Sequence, residues 1–423
     1  LMGGFTMDKA RLEKLGQWAE QDAKEVIFPF WTSDFIVDHE NGGFYGKVTL
    51  DMQIDNTEPR GLTLTGRMLY AFSTAYRVFG DPIYKEKADY TFQDLISRFY
   101  DKEYGGAFVT VTAQGEVLED SKPNYCEAFL LMGCAAYAWA TGNEEALRIA
   151  KETFEIMESK VKFGPASYYN NMTRDWKPAE GSGFGGRRGP SFPKGAIMFP
   201  HHLCQSYVQL YYATGGDEKV KAALKEMAQL VAEKLYDPEK RNIMTIITPD
   251  GKRVGSHQSY GHDCEISYLI LKVAGIVGDQ ELLEKLQKIF TDVLYNVLEN
   301  DFDAYHSLYN GCDLDTGDCG ESHVWWAQAE AVTAMLCGYE HTGDEKFLDA
   351  CEKQADYIEK YFVNREHGDW YNNIVVDETG WHIVDGMHGF DKLNGGKCPF
   401  HNSQMCFEVM ERVKRMTKEE ANA

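Results

Sequence analysis

Arg77-Val-Phe-Gly-Asp81, Ala140-Thr-Gly-Asn143, Ala213-Thr-Gly-Gly-Asp217, Ala274-Gly-Ile-Val-Gly-Asp279 and His341-Thr-Gly-Asp344 recur through this chain of 423 residues. Each stands where one apolar helical run ends and the next begins. A glycine can close a helix in the left-handed conformation, and the Asp or Asn after it can cap the following helix. Each phrase therefore reads as the tight turn of a helical hairpin. The glycines return about every 62–74 residues, the spacing of an array rather than of separate domains. One domain spanning residues 1–423 is expected.

A second punctuation falls between the hairpins. Asp38-His-Glu-Asn-Gly-Gly-Phe-Tyr45 is echoed by Asp101-Lys-Glu-Tyr-Gly-Gly-Ala-Phe108 and Asn364-Arg-Glu-His-Gly-Asp-Trp-Tyr371. Short alternating stretches, Phe108-Val-Thr-Val-Thr and Ile243-Met-Thr-Ile-Ile-Thr, read as small β-hairpins on the long connections. Helical periodicity covers 8–26, 60–79, 84–100, 124–141, 144–158, 198–214, 217–236, 262–277, 279–298, 325–342, 345–362 and 400–417. Twelve helices in six pairs predict an all-α (α/α)6 barrel. Segments such as 217–236 carry Lys and Glu on one face and suit an outer layer, whereas 124–141 and 325–342 are apolar nearly all round and suit a buried inner layer. Chemistry is then expected at the starts of the inner helices.

Composition narrows the partners. Lys plus Arg number 43 against 66 Asp plus Glu, a net charge of −23, which disfavours nucleic acid and acidic membrane surfaces. No run approaches 18 apolar residues, so no membrane span is expected. The start, Leu1-Met2-Gly3-Gly4-Phe5, shows neither a basic nor an apolar signal region, and a cytoplasmic monomer or homodimer is expected. Ten cysteines include no CxxC pair. Cys134, Cys204 and Cys337 lie in apolar helical runs as small hydrophobes, which suits a reducing compartment; Cys312 and Cys319 could bridge a loop, but free thiols are the expectation there as well.

Every inner helix start carries chemistry. Arg67 lies early in the second helix; Tyr125 and Glu127 open the fourth; His201 and His202 the sixth. Gly261-His-Asp-Cys-Glu265 opens the eighth, Trp325-Trp326 with Gln328 and Glu330 the tenth, and Lys397-Cys-Pro-Phe-His401 the twelfth. Singly, each has a plain structural explanation: an ion pair, a core aromatic, a surface histidine. Six independent explanations are less economical than one site. His323, His341, His367, His382 and His388 are read as bystanders. His262 and Glu265 stand at i, i+3, but no second such motif and no zinc spacing occurs, so neither metal nor cofactor is expected. A nucleophile elbow, a dinucleotide fingerprint and a Walker sequence are also missing. Two histidines on facing walls suit proton abstraction beside a carbonyl, one taking the proton and the other returning it to the opposite face. A fixed arginine would hold the enolate oxygen.

Asp38-His-Glu-Asn-Gly-Gly-Phe-Tyr-Gly46, Gly66-Arg67, Ser259-Tyr-Gly-His-Asp-Cys-Glu265, Trp325-Trp-Ala-Gln-Ala-Glu-Ala331 and Lys397-Cys-Pro-Phe-His-Asn402 resemble the N-acylglucosamine 2-epimerase superfamily, and within it the cellobiose 2-epimerases. The resemblance runs from about residue 8 to 415. It implies an (α/α)6 barrel and cofactor-free epimerisation at C2 of a reducing sugar, interconverting gluco and manno forms through a cis-enediolate. It makes His262 and His401 the acid/base pair, with His401 facing the gluco epimer, and gives Arg67 the enediolate oxygen. His202 would assist ring opening or hold the sugar, and Glu265 would position His262 or bind a hydroxyl. Tyr125, Trp325, Trp326 and Glu330 would line the substrate pocket.

The chain departs from that pattern where the second sugar ring would sit. Gly395-Gly396 occupies the place of a stacking tryptophan, Met198 that of an asparagine, Gln205 that of a glutamate and His323 that of an arginine. A monosaccharide or a differently linked disaccharide is therefore expected in place of cellobiose. Residues 178–194 form a longer Gly/Arg-rich stretch, read as a solvated loop or as a lid whose Arg187, Arg188 and Lys194 meet an anionic group on the substrate. Aldose–ketose isomerisation shares the enediolate and stays open. A glycoside hydrolase built on Glu265 and Glu330 would leave the histidine pair without a role, and a toroidal binding protein would have no need of it.

Overall fold

The computed structural model describes residues 7–179, 195–384 and 389–419. Among these, twelve helices of 13 residues or more alternate between two layers. The outer helices are α1 (Lys9–Gln21), α3 (Pro82–Asp94), α5 (Glu144–Ile156), α7 (Glu218–Leu230), α9 (Gln280–Asn300) and α11 (Glu345–Tyr357). The inner ones are α2 (Leu62–Phe79), α4 (Asn124–Thr141), α6 (His201–Ala213), α8 (Tyr260–Val277), α10 (Trp325–Thr342) and α12 (His401–Glu419). The inner six pack in a closed succession, α2 on α4, α4 on α6, α6 on α8, α8 on α10, α10 on α12 and α12 back on α2. No helix among the described residues is long and apolar enough to cross a membrane.

The five hairpin phrases form as the sequence predicts. Gly80, Gly142, Gly278 and Gly343 sit at φ between 68° and 73° as left-handed helix ends. The third turn uses Gly215 and Gly216, both at positive φ. The next side chain then accepts from the backbone of the following helix, as in Asp81 from Ile83 (3.1 Å), Asn143 from Ala146 (2.9 Å) and Asp217 from Lys219 (2.8 Å). Five of the six outer helices end in a wide π-type turn; Tyr100 N–H reaches Leu95 C=O (3.1 Å), for example. From there the chain enters the second punctuation. Asp38 and Asp101 each accept two backbone N–H bonds through one carboxylate oxygen, and Asn364 does so through its amide oxygen. The three echoes are one loop built three times.

Both expected reversals form, and both stretches also pair beyond them. Thr110–Val111 pairs with Val117–Glu119 as a hairpin and also with Arg60–Gly61. Ile247 bridges Arg253 across the turn at Pro249-Asp-Gly251, with Thr248 C=O accepting from Gly251 N–H. In addition Asn242–Ile243 pairs with Tyr236–Asp237, and Ile246–Ile247 with Ile197–Met198. Against expectation, Cys312 and Cys319 are joined as a disulfide, while the other eight cysteines are free and buried.

Two glycines set how closely the inner helices approach. A Cβ on Gly66 would lie 2.5 Å from the Phe129 carbonyl oxygen, and one on Gly261 would lie 2.5 Å from the Trp326 ring. Each glycine directly precedes a candidate site residue, Arg67 or His262. We expect Gly66→Ala to destabilise the fold by about 1–3 kcal/mol, the usual cost of overpacking, and to displace Arg67 as α2 and α4 separate. Calorimetry together with kinetics checks this; an unchanged Tm would contradict the close crossing.

Candidate active site

The starts of the six inner helices converge. The rings of His201 and His202 are 4.1 Å apart, His201 and His262 4.7 Å, His262 and Trp326 5.0 Å, Trp326 and His401 5.5 Å, and His202 and His401 6.2 Å. Four histidines and a tryptophan thus form one wall-to-wall cluster, with Tyr125 against His202 at 5.3 Å.

Each of the two predicted acid/base histidines is backed at Nδ1. His262 Nδ1 lies 2.8 Å from Ser259 Oγ, and His401 Nδ1 lies 2.6 Å from Glu330 Oε1. A hydroxyl can donate or accept, and a carboxyl group does either according to its protonation. Both histidines can therefore present either a lone pair or an N–H at Nε2. Their neighbours fix the other two rings differently. Gln205 donates its amide to Glu265 Oε1 (2.8 Å) and offers its own oxygen to His202 Nδ1 (3.1 Å). His202 thus carries its proton on Nδ1 and leaves Nε2 bare. His201 Nδ1 faces the Phe199 carbonyl at 3.4 Å, which leaves its Nε2 bare too.

Arg67 is buried, its guanidinium 4.3 Å from the Phe129 ring centroid and 5.1 Å from that of Phe400. It donates to Tyr125 OH (2.9 Å) and the Gly396 carbonyl (3.4 Å), while its Nε has no protein partner among the described residues. His201 Nε2 and Glu265 Oε2 are likewise buried without one, 3.9 Å apart. A buried polar atom left open in this way fits a ligand with hydroxyl groups. Two triplets, His201–His202–Glu265 and Glu265–Glu330–His401, also bring possible metal-ligand atoms within 4.8 Å. Sequence spacing does not reveal this, because the first triplet draws on two helices, α6 and α8, and the second on three, α8, α10 and α12.

Several expected roles change. Glu330 is not on the pocket surface: one oxygen faces His401 and the other accepts from Tyr268 OH at 2.7 Å. Glu265 reaches Gln205 and the His201–His202 pair, and the contact that orients His262 comes from Ser259. Trp325 is 2% exposed, packed on His401 and under the Lys397 ammonium, so Trp326 is the one that remains accessible. His323, buried, is held by Asp303 (3.2 Å) and Tyr357 (3.2 Å). Met198 lies in the strand paired with Ile246. Arg187, Arg188 and Lys194 fall outside the described residues.

The segment that carries His401 is anchored from below. Asp369, in the third echo loop, takes Lys397 Nζ at 2.5 Å, Asn402 Nδ2 at 2.7 Å and Trp31 Nε1 at 3.0 Å. A fully buried ion pair is tolerable only with such added hydrogen bonds. Here it ties the start of α12 to a loop more than 25 residues upstream.

Burial dominates the electrostatics. It lowers the basicity of His401, aided by Arg67, His201 and His262, and brings His262 down to about 4, with His257 adding. His201 and His202 fall for the same reason. Burial lifts Glu265 to about 7 against the pull of Gln205 and Arg67, and burial also lifts Glu330, with repulsion from Glu265 adding and the Tyr268 hydrogen bond opposing. Desolvation disfavours the charged form of every group, so the histidines are neutral at pH 7. We expect none of the four rings to show the large Cε1–H shift of imidazolium formation between pH 6 and 8. A midpoint near 6.5 for His262 or His401 would sink that assignment.

The chain brings four histidines together, with Arg67 bonded to the Tyr125 that packs on His202, and its relatives make it a sugar epimerase. It belongs to the N-acylglucosamine 2-epimerase (GlcNAc 2-epimerase) family, whose model matches residues 43–387. Its relatives include a cellobiose 2-epimerase of Ruminococcus albus, 30% identical over 93% of this chain and 97% of that one, and an N-acylglucosamine 2-epimerase of Bos taurus, 25% identical over 86% and 85%. The solved cellobiose 2-epimerase of Bacillus thermoamylovorans B4167 superposes with a TM-score of 0.84 at 28% identity, over 95% of this chain and all of that one.

Proposed function

We propose that the two helical layers form an (α/α)6 barrel and that the chain epimerises C2 of a reducing sugar through a cis-enediolate. The observation that carries this is the matched backing of His262 and His401 by groups able to donate or accept at Nδ1. In the gluco-to-manno direction, His401 Nε2 takes the C2 proton. The C–H electron pair forms the C1–C2 double bond, and the carbonyl π pair moves onto O1 beside Arg67. As Nε2 gains its proton, the Nδ1 proton passes to Glu330 Oε1, so no isolated imidazolium is left buried. His262 takes up a solvent proton as the anionic enediolate forms, with its Nδ1–H donated to Ser259 Oγ; its Nε2–H then protonates C2 from the opposite face and leaves the ring neutral. His202, with a bare Nε2, takes the anomeric hydroxyl proton as the C1–O5 bond breaks and returns it to O5, so that its ring ends neutral.

The substrate is a reducing monosaccharide, or a disaccharide linked differently from cellobiose. Gly396 presents only a backbone carbonyl, already taken by Arg67, where a stacking side chain would hold a second ring. Proton NMR in D2O with glucose, mannose, N-acetylglucosamine, N-acetylmannosamine, cellobiose and mannobiose, one at a time, tests both points. Loss of H2 with growth of the C2 epimer is expected for at least one monosaccharide. A ketose product would make the enzyme an isomerase, and cellobiose as the preferred substrate would overturn the reading of Gly395-Gly396.

A further inference from the structure

Behind Glu330 lies a chain of hydrogen bonds with a fixed direction. Gln404 Nε2 donates to the Tyr268 hydroxyl oxygen at 2.8 Å, and the Tyr268 hydroxyl donates to Glu330 Oε2 at 2.7 Å. Tyr268 and Glu330 are 2% and 1% exposed, and Gln404 is buried as well. An amide N–H can only donate. It occupies a lone pair of the phenol oxygen, so the one hydroxyl hydrogen is committed to Glu330. For the same reason the chain does not relay protons: the amide does not give up a hydrogen to replace one that Tyr268 would pass on.

We propose that Tyr268, held by Gln404, is a positioning residue that locks Glu330 so that the proton shared with His401 has one address, Glu330 Oε1. With Oε2 occupied by a donor, a proton leaving His401 Nδ1 goes to Oε1 across the 2.6 Å contact and returns from it. The carboxyl group then does not rotate to present a protonated oxygen away from the ring. His401 alternates between lone pair and N–H at Nε2 without leaving its place over C2. The inference rests on the epimerase reading and adds two residues to its machinery.

The test uses the full-length protein carrying Tyr268→Phe, which removes only the hydroxyl. We expect kcat to fall about tenfold, the scale of one hydrogen bond to a charged group, with KM within about twofold. Loss of a donor to the carboxylate makes Glu330 easier to protonate. The form with ionised Glu330 and neutral His401 is then reached only at higher pH, so the acidic limb of the kcat profile moves up by about one pH unit. In a Glu330→Gln background the same substitution should cost nothing more. Gln404→Leu should move the limb the same way by less, and it serves if Tyr268→Phe does not fold. A fall in kcat with an unmoved limb, or a loss additive with Glu330→Gln, would reduce Tyr268 to a packing residue. One readout does not depend on turnover: the far-downfield proton resonance of the short His401–Glu330 contact should shift in both variants, and its constancy would overturn the lock. An inactive wild type on every sugar, with that shift observed, would instead count against the epimerase reading alone.

Discussion

Replacing His401 with alanine should lower kcat for epimerisation about 10³-fold, within the usual range for loss of a general base, and should do so on one face only. His262 remains in that variant, still backed by Ser259 and in contact with Trp326. The manno epimer should therefore go on exchanging its C2 hydrogen with solvent deuterium although no gluco product forms. His262→Ala should show the mirror pattern, with exchange from the gluco epimer and no manno product. Deuterium incorporation into each pure epimer, followed by NMR, separates the two histidines in a way that a fall in rate does not. Equal exchange from both epimers in either variant would mean that one base serves both faces. Circular dichroism controls for folding, which matters here because His401 packs on Phe400 at 4.7 Å and on Trp325 at 5.6 Å.

Arg67→Lys should cost about 10²–10³ in kcat with little change in KM, the pattern of lost stabilisation of a developing oxyanion. The charge is kept, but the planar fork that bonds Tyr125 and Gly396 together is lost, and an ammonium group does not reproduce it. The guanidinium also lies over the Phe129 and Phe400 rings, which a compact, strongly hydrated ammonium would leave partly unfilled. Tyr125→Phe removes one of these contacts and should cost about tenfold. Steady-state kinetics on whichever sugar the D2O screen identifies provides the measurement; a rise in KM with kcat preserved would make Arg67 a binding residue and leave the enediolate without its proposed partner.

Much of this was readable in the chain itself, for local reasons. A glycine followed by Asp or Asn ends one helix and caps the next whatever surrounds it, so all five hairpins follow from the sequence. The alignment of chemistry with inner helix starts follows from the alternation of amphipathic and all-apolar helices. The partners of the carboxylates were not readable. Whether Glu330 faces a sugar or His401, 71 positions away, depends on how far α10 and α12 are rotated about their own axes. Close crossings such as those at Gly66 and Gly261 help set such rotations. Of the two roles the resemblance offers Glu265, its contacts do not take the support of His262: the two side chains part, one toward Ser259 and the other toward Gln205, while Glu265 Oε2 stays open among the described residues. Tyr268 and Gln404 gave no sign at all, since a buried Tyr and Gln on inner helices look like ordinary core until the atoms they touch are known.

The interchangeable backing of the two histidines gives the site a memory. On the proposed chemistry, a gluco-to-manno turnover ends with His401 carrying an extra proton and His262 neutral again, which is the loading needed to run the other way. The next molecule of starting sugar meets an enzyme prepared for its product. At low traffic the two loadings re-equilibrate with water between visits and nothing is noticed. At high traffic that re-equilibration becomes the slow step, so throughput should level off sooner than binding alone predicts, and the product epimer should trade its label back fastest just after it has formed.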